Sequence, residues 1–186
     1  MKKIIKPFLI SFTLILAFVL GLAALMPKEY TVEQIIEIHA SPEIVFPLVA
    51  DFSKWKEWSP WYEYEPNANY EINGSVGKIE SSLKWHGGGV GRGVVLLTDI
   101  EDLKKITMNF NFETPHESEA IGIFTFKRHE NSTIVSWTNH GELEYPMGRI
   151  FARFLKTMIE KDLNKGLQKL KTRAETSAQI NFQENK

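Results

Sequence analysis

The 186-residue chain contains no cysteine. Disulfide frameworks, cysteine-ligated zinc, iron–sulfur clusters and thiol nucleophiles are therefore excluded. It also lacks an excess of charge of either sign, with 22 Lys and Arg against 23 Asp and Glu. A general nucleic-acid binder needs a basic surplus, so no nucleic-acid partner is expected. The histidines His39, His86, His116, His129 and His140 are scattered, with no His-Glu-x-x-His and no ligand pair on one helix. No metal site follows from them. There is no Gly-x-Gly-x-x-Gly, and no cofactor is expected. His86-Gly87-Gly88-Gly89 has the look of an esterase oxyanion segment, but no Gly-x-Ser-x-Gly nucleophile elbow accompanies it. A glycine-rich hairpin turn is the reading that remains. What is plentiful is apolar and aromatic: 43% of residues are hydrophobic, with twelve Phe and five Trp. That is material for one domain with a large apolar interior.

Charge is also missing from one stretch near the start. Lys2, Lys3 and Lys6 precede an uncharged run from Phe8 to Met26, closed by Pro27-Lys28-Glu29. As a helix this run would be roughly 28 Å long, close to the hydrocarbon thickness of a bilayer. Residues 1–29 are thus expected to be an N-terminal membrane anchor or signal segment, with residues 8–26 in the membrane. Gly21-Leu22-Ala23 offers a small-x-small cleavage site, so retention and cleavage both stay open. The lysines precede the run, which places the N-terminus in the cytoplasm and the domain outside it, on the periplasmic side in a bacterium.

Residues 30–175 carry the domain, and residues 176–186 read as a polar, frayed tail. Val32, Ile36, Ile38 and Ala40 alternate with Glu33, Glu37 and His39, the period of a strand. Ser41 and Pro42 then supply an N-cap and a first helical residue. Glu43 to Phe52 reads as a short helix that Pro47 can divide, and Asp51 to Trp58 as a second short helical turn. From Tyr70 the period is two. Strands are expected over 78–85, 93–100, 106–112, 119–128 and 133–140, separated by turns rich in glycine or charge. Pro146 can open a long helix reaching about Glu175, with Ile150, Phe154, Leu163, Leu167 and Leu170 among residues at helical spacing. One strand, two short helices, a run of antiparallel strands and one long helix make an α+β fold. Its economical form is a curved antiparallel sheet wrapped around the C-terminal helix. Such a sheet encloses more volume than one helix stripe fills, so a cavity between the two is expected.

The residues placed to line that cavity are Leu83, Trp85, Met108, Phe110, Phe112, Phe124 and Phe126 on the strands. Phe151, Phe154, Leu155 and Met158 face them from the helix. They offer dispersion contacts and few hydrogen bonds, so the expected partner is a hydrophobic small molecule or lipid. The same side chains would also serve as a filled core. Trp55, Trp58 and Trp61 read first as packing of the short helices on the sheet, and second as an aromatic gate over a pocket. For acid–base chemistry Asp51, Glu80, His86, Arg92 and His140 are the available suppliers, with His140 beside Glu142 the best candidate. No catalytic residue is assigned.

Two strings then carry a likeness. Ile36-Glu37-Ile38-His39-Ala40-Ser41-Pro42-Glu43-Ile44-Val45-Phe46 and the stretch from Val49 through Trp58-Ser59-Pro60-Trp61 resemble the opening of the polyketide cyclase/dehydrase and lipid-transport family. That family lies within the START-like, Bet v 1-like (SRPBCC) superfamily. Ser82 to Trp85, Gly91-Arg92-Gly93, Phe124-Thr125-Phe126, Thr133 to Trp137 and Lys161 to Lys171 match the same pattern. The resemblance implies a helix-grip fold with a hydrophobic cavity between the sheet and the C-terminal helix. It does not choose an activity, because the superfamily holds lipid carriers, aromatase/cyclases and co-chaperones. Three functions follow as expectations: a membrane-tethered binding or transport module for an apolar small molecule or lipid, a cyclase/dehydratase-type enzyme, and a protein-interaction domain. An apolar lining favours the first, a buried polar pair the second, and a filled interior the third.

Overall fold

The structure is a computed structural model. It describes the backbone of residues 2–114 and 116–184, and their side chains except those of 2–8 and 184. Helix α1 occupies Lys2–Leu25. Strand β1 (Glu29–Ile38) leads into α2 (Pro42–Ala50), a 3-10 turn (Phe52–Glu57) and α3 (Pro60–Tyr64). Strands β2 (Asn69–Asn73), β3 (Ser82–Gly87), β4 (Gly91–Glu101), β5 (Lys105–Thr114), β6 (Ser118–His129) and β7 (Ser132–Glu142) follow. Helices α4 (Met147–Ile150) and α5 (Ala152–Glu184) come last.

The strands form one antiparallel sheet in the order β1-β7-β6-β5-β4-β3-β2. From β2 to β7 each strand pairs with the next in sequence, and β1 closes the other end against β7, with Ile38 opposite Thr133. Alternation decides the faces: Ile106, Met108, Phe110, Phe124 and Phe126 are buried, whereas Ile121 on the outer face is exposed. Helix α5 packs on β1 and α2 and buries Leu163, Leu167, Leu170 and Ala174. The fold is the expected α+β helix grip.

Three local expectations are corrected. The strand anticipated over 78–85 begins only at Ser82. Gly74, Gly77 and Glu80 take positive φ, and Ser81 N–H donates to Lys78 O in a turn, so regular strand starts only after it, while Glu80 N–H donates to Leu97 O at 2.9 Å and Ser81 O accepts from Leu97 N–H at 3.0 Å. Pro47 does not divide α2. Its ring removes one helical bond, while Val45, Phe46, Leu48 and Val49 stay buried and hold the helix against the sheet. The last helix breaks at Phe151 and then runs on through Glu184 rather than fraying after Glu175. Contacts continue there: Glu175 Oε1 accepts from His39 N–H at 2.9 Å, and Arg173 binds Glu57 and Ser177.

The stretch expected to cross a membrane, residues 8–26, falls on α1 and Met26. Among the described residues no helix is long and apolar enough to cross one. Lys2, Lys3, Lys6 and Phe8, which framed the expected span, have side chains outside the described set. Leu9, Phe12, Ile15 and Phe18 are exposed, and near the helix end Leu20 O accepts from Tyr145 Oη at 3.1 Å.

Candidate functional site: an aromatic pocket

Two Ser-Pro pairs organise the segment between β1 and β2. Pro42 opens α2 after Ser41, and Pro60 opens α3 after Ser59. Between them two indoles are locked down. Trp55 Nε1 donates to Val49 O at 2.9 Å and Trp58 Nε1 to Leu48 O at 2.8 Å, and both rings are fully buried. Trp61 is carried one turn further, over the sheet. Its ring meets Phe110 edge-on at 5.9 Å and Trp137 at 6.0 Å.

Under α3 lies a cavity of about 370 Å³. Its roof is Trp55, Ser59, Trp61, Tyr62 and Tyr64. Its floor is Tyr70, Leu83, Trp85, Val95, Phe110 and Phe112 from β2 to β5, and Gly89 and Val90 close one end. Trp85 lies flat because its partner across the ladder is Gly93, where a Cβ would stand 2.3 Å from Trp85 Cζ2. Trp85 Nε1 donates to Val90 O at 3.2 Å, which ties the floor to the glycine turn.

Polar bonds hold the roof at both ends. Tyr64 Oη donates to Asp162 at 2.7 Å, and Glu63 takes Lys165 and Lys169 of α5, each at 2.9 Å. At the other end Glu65 accepts from the backbone N–H groups of Gly88 (2.8 Å), Gly89 (2.7 Å) and Val90 (2.8 Å). The Val90 and Gly89 amides hold its carboxyl below the usual carboxylate range. A Cβ on Gly87 would stand 2.6 Å from this carboxylate. The His86-Gly-Gly-Gly segment is therefore a hairpin turn whose amides are already occupied by Glu65. It has none free to serve as an oxyanion hole.

Of the residues anticipated at the cavity, Leu83, Trp85, Phe110 and Phe112 line it. Met108, Phe124 and Phe126 lie on the same face of the sheet but are packed into the core beside it. The helix residues are elsewhere. Leu155 is half-buried against the core, while Phe151, Phe154 and Met158 are 53%, 70% and 46% exposed. Helix α5 covers the β1 end of the sheet, so the cavity lies under α3 instead, away from these three side chains. The residues not anticipated are Ser59, Tyr62, Tyr64, Tyr70, Gly89, Val90 and Val95. The second Ser-Pro pair, followed by Trp61-Tyr62-Glu63-Tyr64, was the available signal for α3.

None of Asp51, Glu80, His86, Arg92 and His140 lines the cavity. Asp51 caps the 3-10 turn through Ser53, and His140 Nδ1 bonds Thr31 Oγ1 at 3.0 Å on the opposite edge of the sheet. The polar groups that do face the cavity are hydroxyls. Burial pushes the phenols of Tyr62 and Tyr64 up to about 12, so neither exchanges protons near neutrality. Among the described residues no cluster of His, Asp or Glu is arranged to hold a metal ion.

A family model described as polyketide cyclase / dehydrase and lipid transport matches residues 29–175. The chain belongs to this family. The family segment starts with β1 and takes in the sheet, the pocket and most of α5. Solved structures share the fold. TTHA0849 from Thermus thermophilus is 20% identical, covering 80% of this chain and 99% of that one, with a TM-score of 0.59. The di-domain ARO/CYC StfQ of the steffimycin biosynthetic pathway is 12% identical over 81% of this chain and 52% of its own, with a TM-score of 0.62. The Aha1 dimer from Colwellia psychrerythraea is 20% identical over 77% of this chain and 98% of its own, with a TM-score of 0.53. At these identities the likeness speaks for the fold alone. No curated protein matches the sequence significantly.

Proposed function

We propose that this family member is a carrier or sensor for a small hydrophobic molecule, held at a membrane by α1 with its domain outside the cytoplasm. The observation that carries the binding reading is the pocket: a cavity of about 370 Å³ walled by aromatic and aliphatic side chains, with no ionisable acid–base pair converging on it. Its size suits a compact guest or part of a single acyl chain rather than a diacyl lipid. The cyclase reading needs a proton donor and acceptor at the substrate, and the lining supplies only hydroxyls.

Support for membrane tethering comes from side chains that do not reach the pocket. Met147, Phe151, Phe154 and Met158 are exposed along α4 and the first turns of α5, at the end of the domain where α4 touches α1. An apolar strip continuous with an apolar helix suits the interfacial region of a bilayer.

The test is titration of the full chain with N-phenyl-1-naphthylamine, read by energy transfer from tryptophan. Saturable binding of one molecule per chain is expected, and its loss in Val95→Trp, which fills the cavity. Absence of saturable binding by the parent protein overturns the carrier reading. For the membrane, vesicle flotation should be weakened by the pair Phe151→Ser and Phe154→Ser. Equal flotation would remove that strip from the account.

A further inference from the structure

The cavity is closed at one end and reaches solvent at the other. Trp55, Ser59, Leu83, Val95 and Phe110 line its inner end and are buried. Tyr62, Tyr70, Trp85 and Phe112 are half-buried, and Tyr64 and Gly89 are exposed. Two elements therefore flank the mouth: α3, which carries Tyr62 and Tyr64, and the turn between β3 and β4, which carries Gly89 and Val90. Glu65, the C-cap of α3, bridges them. Its carboxylate takes the amides of Gly88, Gly89 and Val90 at 2.7–2.8 Å, and two of these three residues are themselves cavity wall.

The edges of α3 differ in what it costs to part them from their neighbours. At its start Trp58, Ser59 and Pro60 are buried, so opening there bares apolar surface to water. Along its flank toward α5, Tyr64 bonds Asp162 and Glu63 bonds Lys165 and Lys169, while Lys165 Nζ sits 4.6 Å from the centre of the Tyr64 ring. At the turn one side chain, Glu65, makes all three bonds. Gly88 and Gly89 bring no side chain to bury, and both are open to solvent. A carboxylate and amides that part there are taken up by water, so the turn is the edge that opens at least cost.

We infer that the β3–β4 turn is the gate of the pocket and Glu65 its catch, so that guests enter and leave between α3 and residues 88–90 when the three amide bonds let go. The inference rests on the carrier reading and adds the route and its control. Glu65 does not line the cavity. It holds the mouth shut over an empty and a filled cavity alike, so its loss speeds entry and exit together and leaves their ratio, the affinity, in place.

The test is stopped-flow exchange of N-phenyl-1-naphthylamine on the full chain, read by energy transfer from tryptophan. Glu65→Gln keeps the size of the side chain and removes its charge. It should raise the association and dissociation rate constants together, each roughly tenfold, the order of one charge-assisted hydrogen bond lost from the closed state. Kd should move by less than about twofold. Gly88→Ala should act the other way. A Cβ there meets only Glu65 Oε1, at 3.8 Å, so alanine fits and stiffens the turn. Both rates should fall, with Kd again in place. Glu63→Gln, which loosens the α5 side of the roof, should accelerate exchange less than Glu65→Gln. Rates unchanged in Glu65→Gln overturn the inference, because guests then pass elsewhere. Faster dissociation alone, with weaker affinity, overturns it as well, since Glu65 then shapes the filled state rather than the passage. Faster exchange in Glu63→Gln than in Glu65→Gln moves the opening to the α5 side and overturns it equally. If the probe does not bind the parent protein, the carrier reading fails and takes the gate with it.

Discussion

On β6 and β7, Phe124 and Trp137 stack at 4.6 Å, Trp58 meets both edge-on, and all three are fully buried. On β3 to β5, Leu83, Val95, Phe110 and Phe112 come from strands of the same alternating type and face about 370 Å³ of cavity. The strands do not make this difference; their cover does. The β1 end of the sheet receives α5, with Leu163, Leu167 and Leu170 in register, and α2 beside it. The other end receives only α3, five residues long, tied down by polar bonds of Glu63, Tyr64 and Glu65. A long apolar stripe supplies enough side chains to fill the space beneath it. A short helix anchored by its ends spans the space and leaves it hollow.

The largest expected effect separates the halves by deletion. Phe124→Ala removes a ring from the filled half and should cost about 3–5 kcal/mol. Phe112→Ala, at a wall that already borders a cavity, should cost about 1 kcal/mol while weakening probe binding. Denaturant unfolding of both variants measures the contrast, and equal losses would abolish it. Next is Gly166→Leu. A Cβ at Gly166 would stand 2.8 Å from the Trp137 ring and 3.3 Å from Pro60. The clash should cost about 1–3 kcal/mol. A thermal midpoint equal to that of the parent would show that α5 can shift away from β7.

Enlargement should act in the opposite sense to deletion. Met108→Trp overfills the packed half and should also cost about 1–3 kcal/mol, whereas Val95→Trp has room and should cost less than about 1 kcal/mol. Paired thermal melts decide this, and the reverse order would mean the two halves are equally full. The smallest effect is at Glu65. Its carboxyl is held below its ordinary range by amide bonds, so the contribution of these bonds is complete above the unfolded carboxyl range. It is lost as pH falls through the depressed folded value. Amide exchange protection at Gly88, Gly89 and Val90 should therefore fall in acid. In Glu65→Gln it should be lower from the outset and nearly independent of pH. An identical profile in the variant would show that the turn holds without its carboxylate.

Much of the fold was readable because it rests on period. Alternation over 106–112 and 119–128 marked two strands and their inner faces, and the three- and four-residue spacing of Leu163, Leu167 and Leu170 marked the buried stripe of α5. Part of the pocket followed from the same alternation, since Leu83, Trp85, Phe110 and Phe112 face inward by parity. Phe151, Phe154 and Met158 were misplaced by the same logic. They are apolar at helical spacing, but they lie on the side of α5 away from the face that packs. Tyr62 and Tyr64 carried no periodic signal, because α3 is too short to show one, and Tyr70 lies on β2, which is equally short.

Local chemistry alone determined the alternating strands, the helix start at Ser41-Pro42, the glycine turn after His86 and the absence of a thiol site. Each depends on neighbours within a few residues, so composition and spacing suffice. Only the tertiary structure decided where the cavity lies and that Glu65 spends its charge on the glycine turn. Those outcomes depend on contacts such as Glu65 with Val90, Tyr64 with Asp162 and Trp61 with Phe110, made between segments far apart along the chain. Period gives a side chain its face, and the packing of one element on another settles whether that face meets a filled core, a cavity or water.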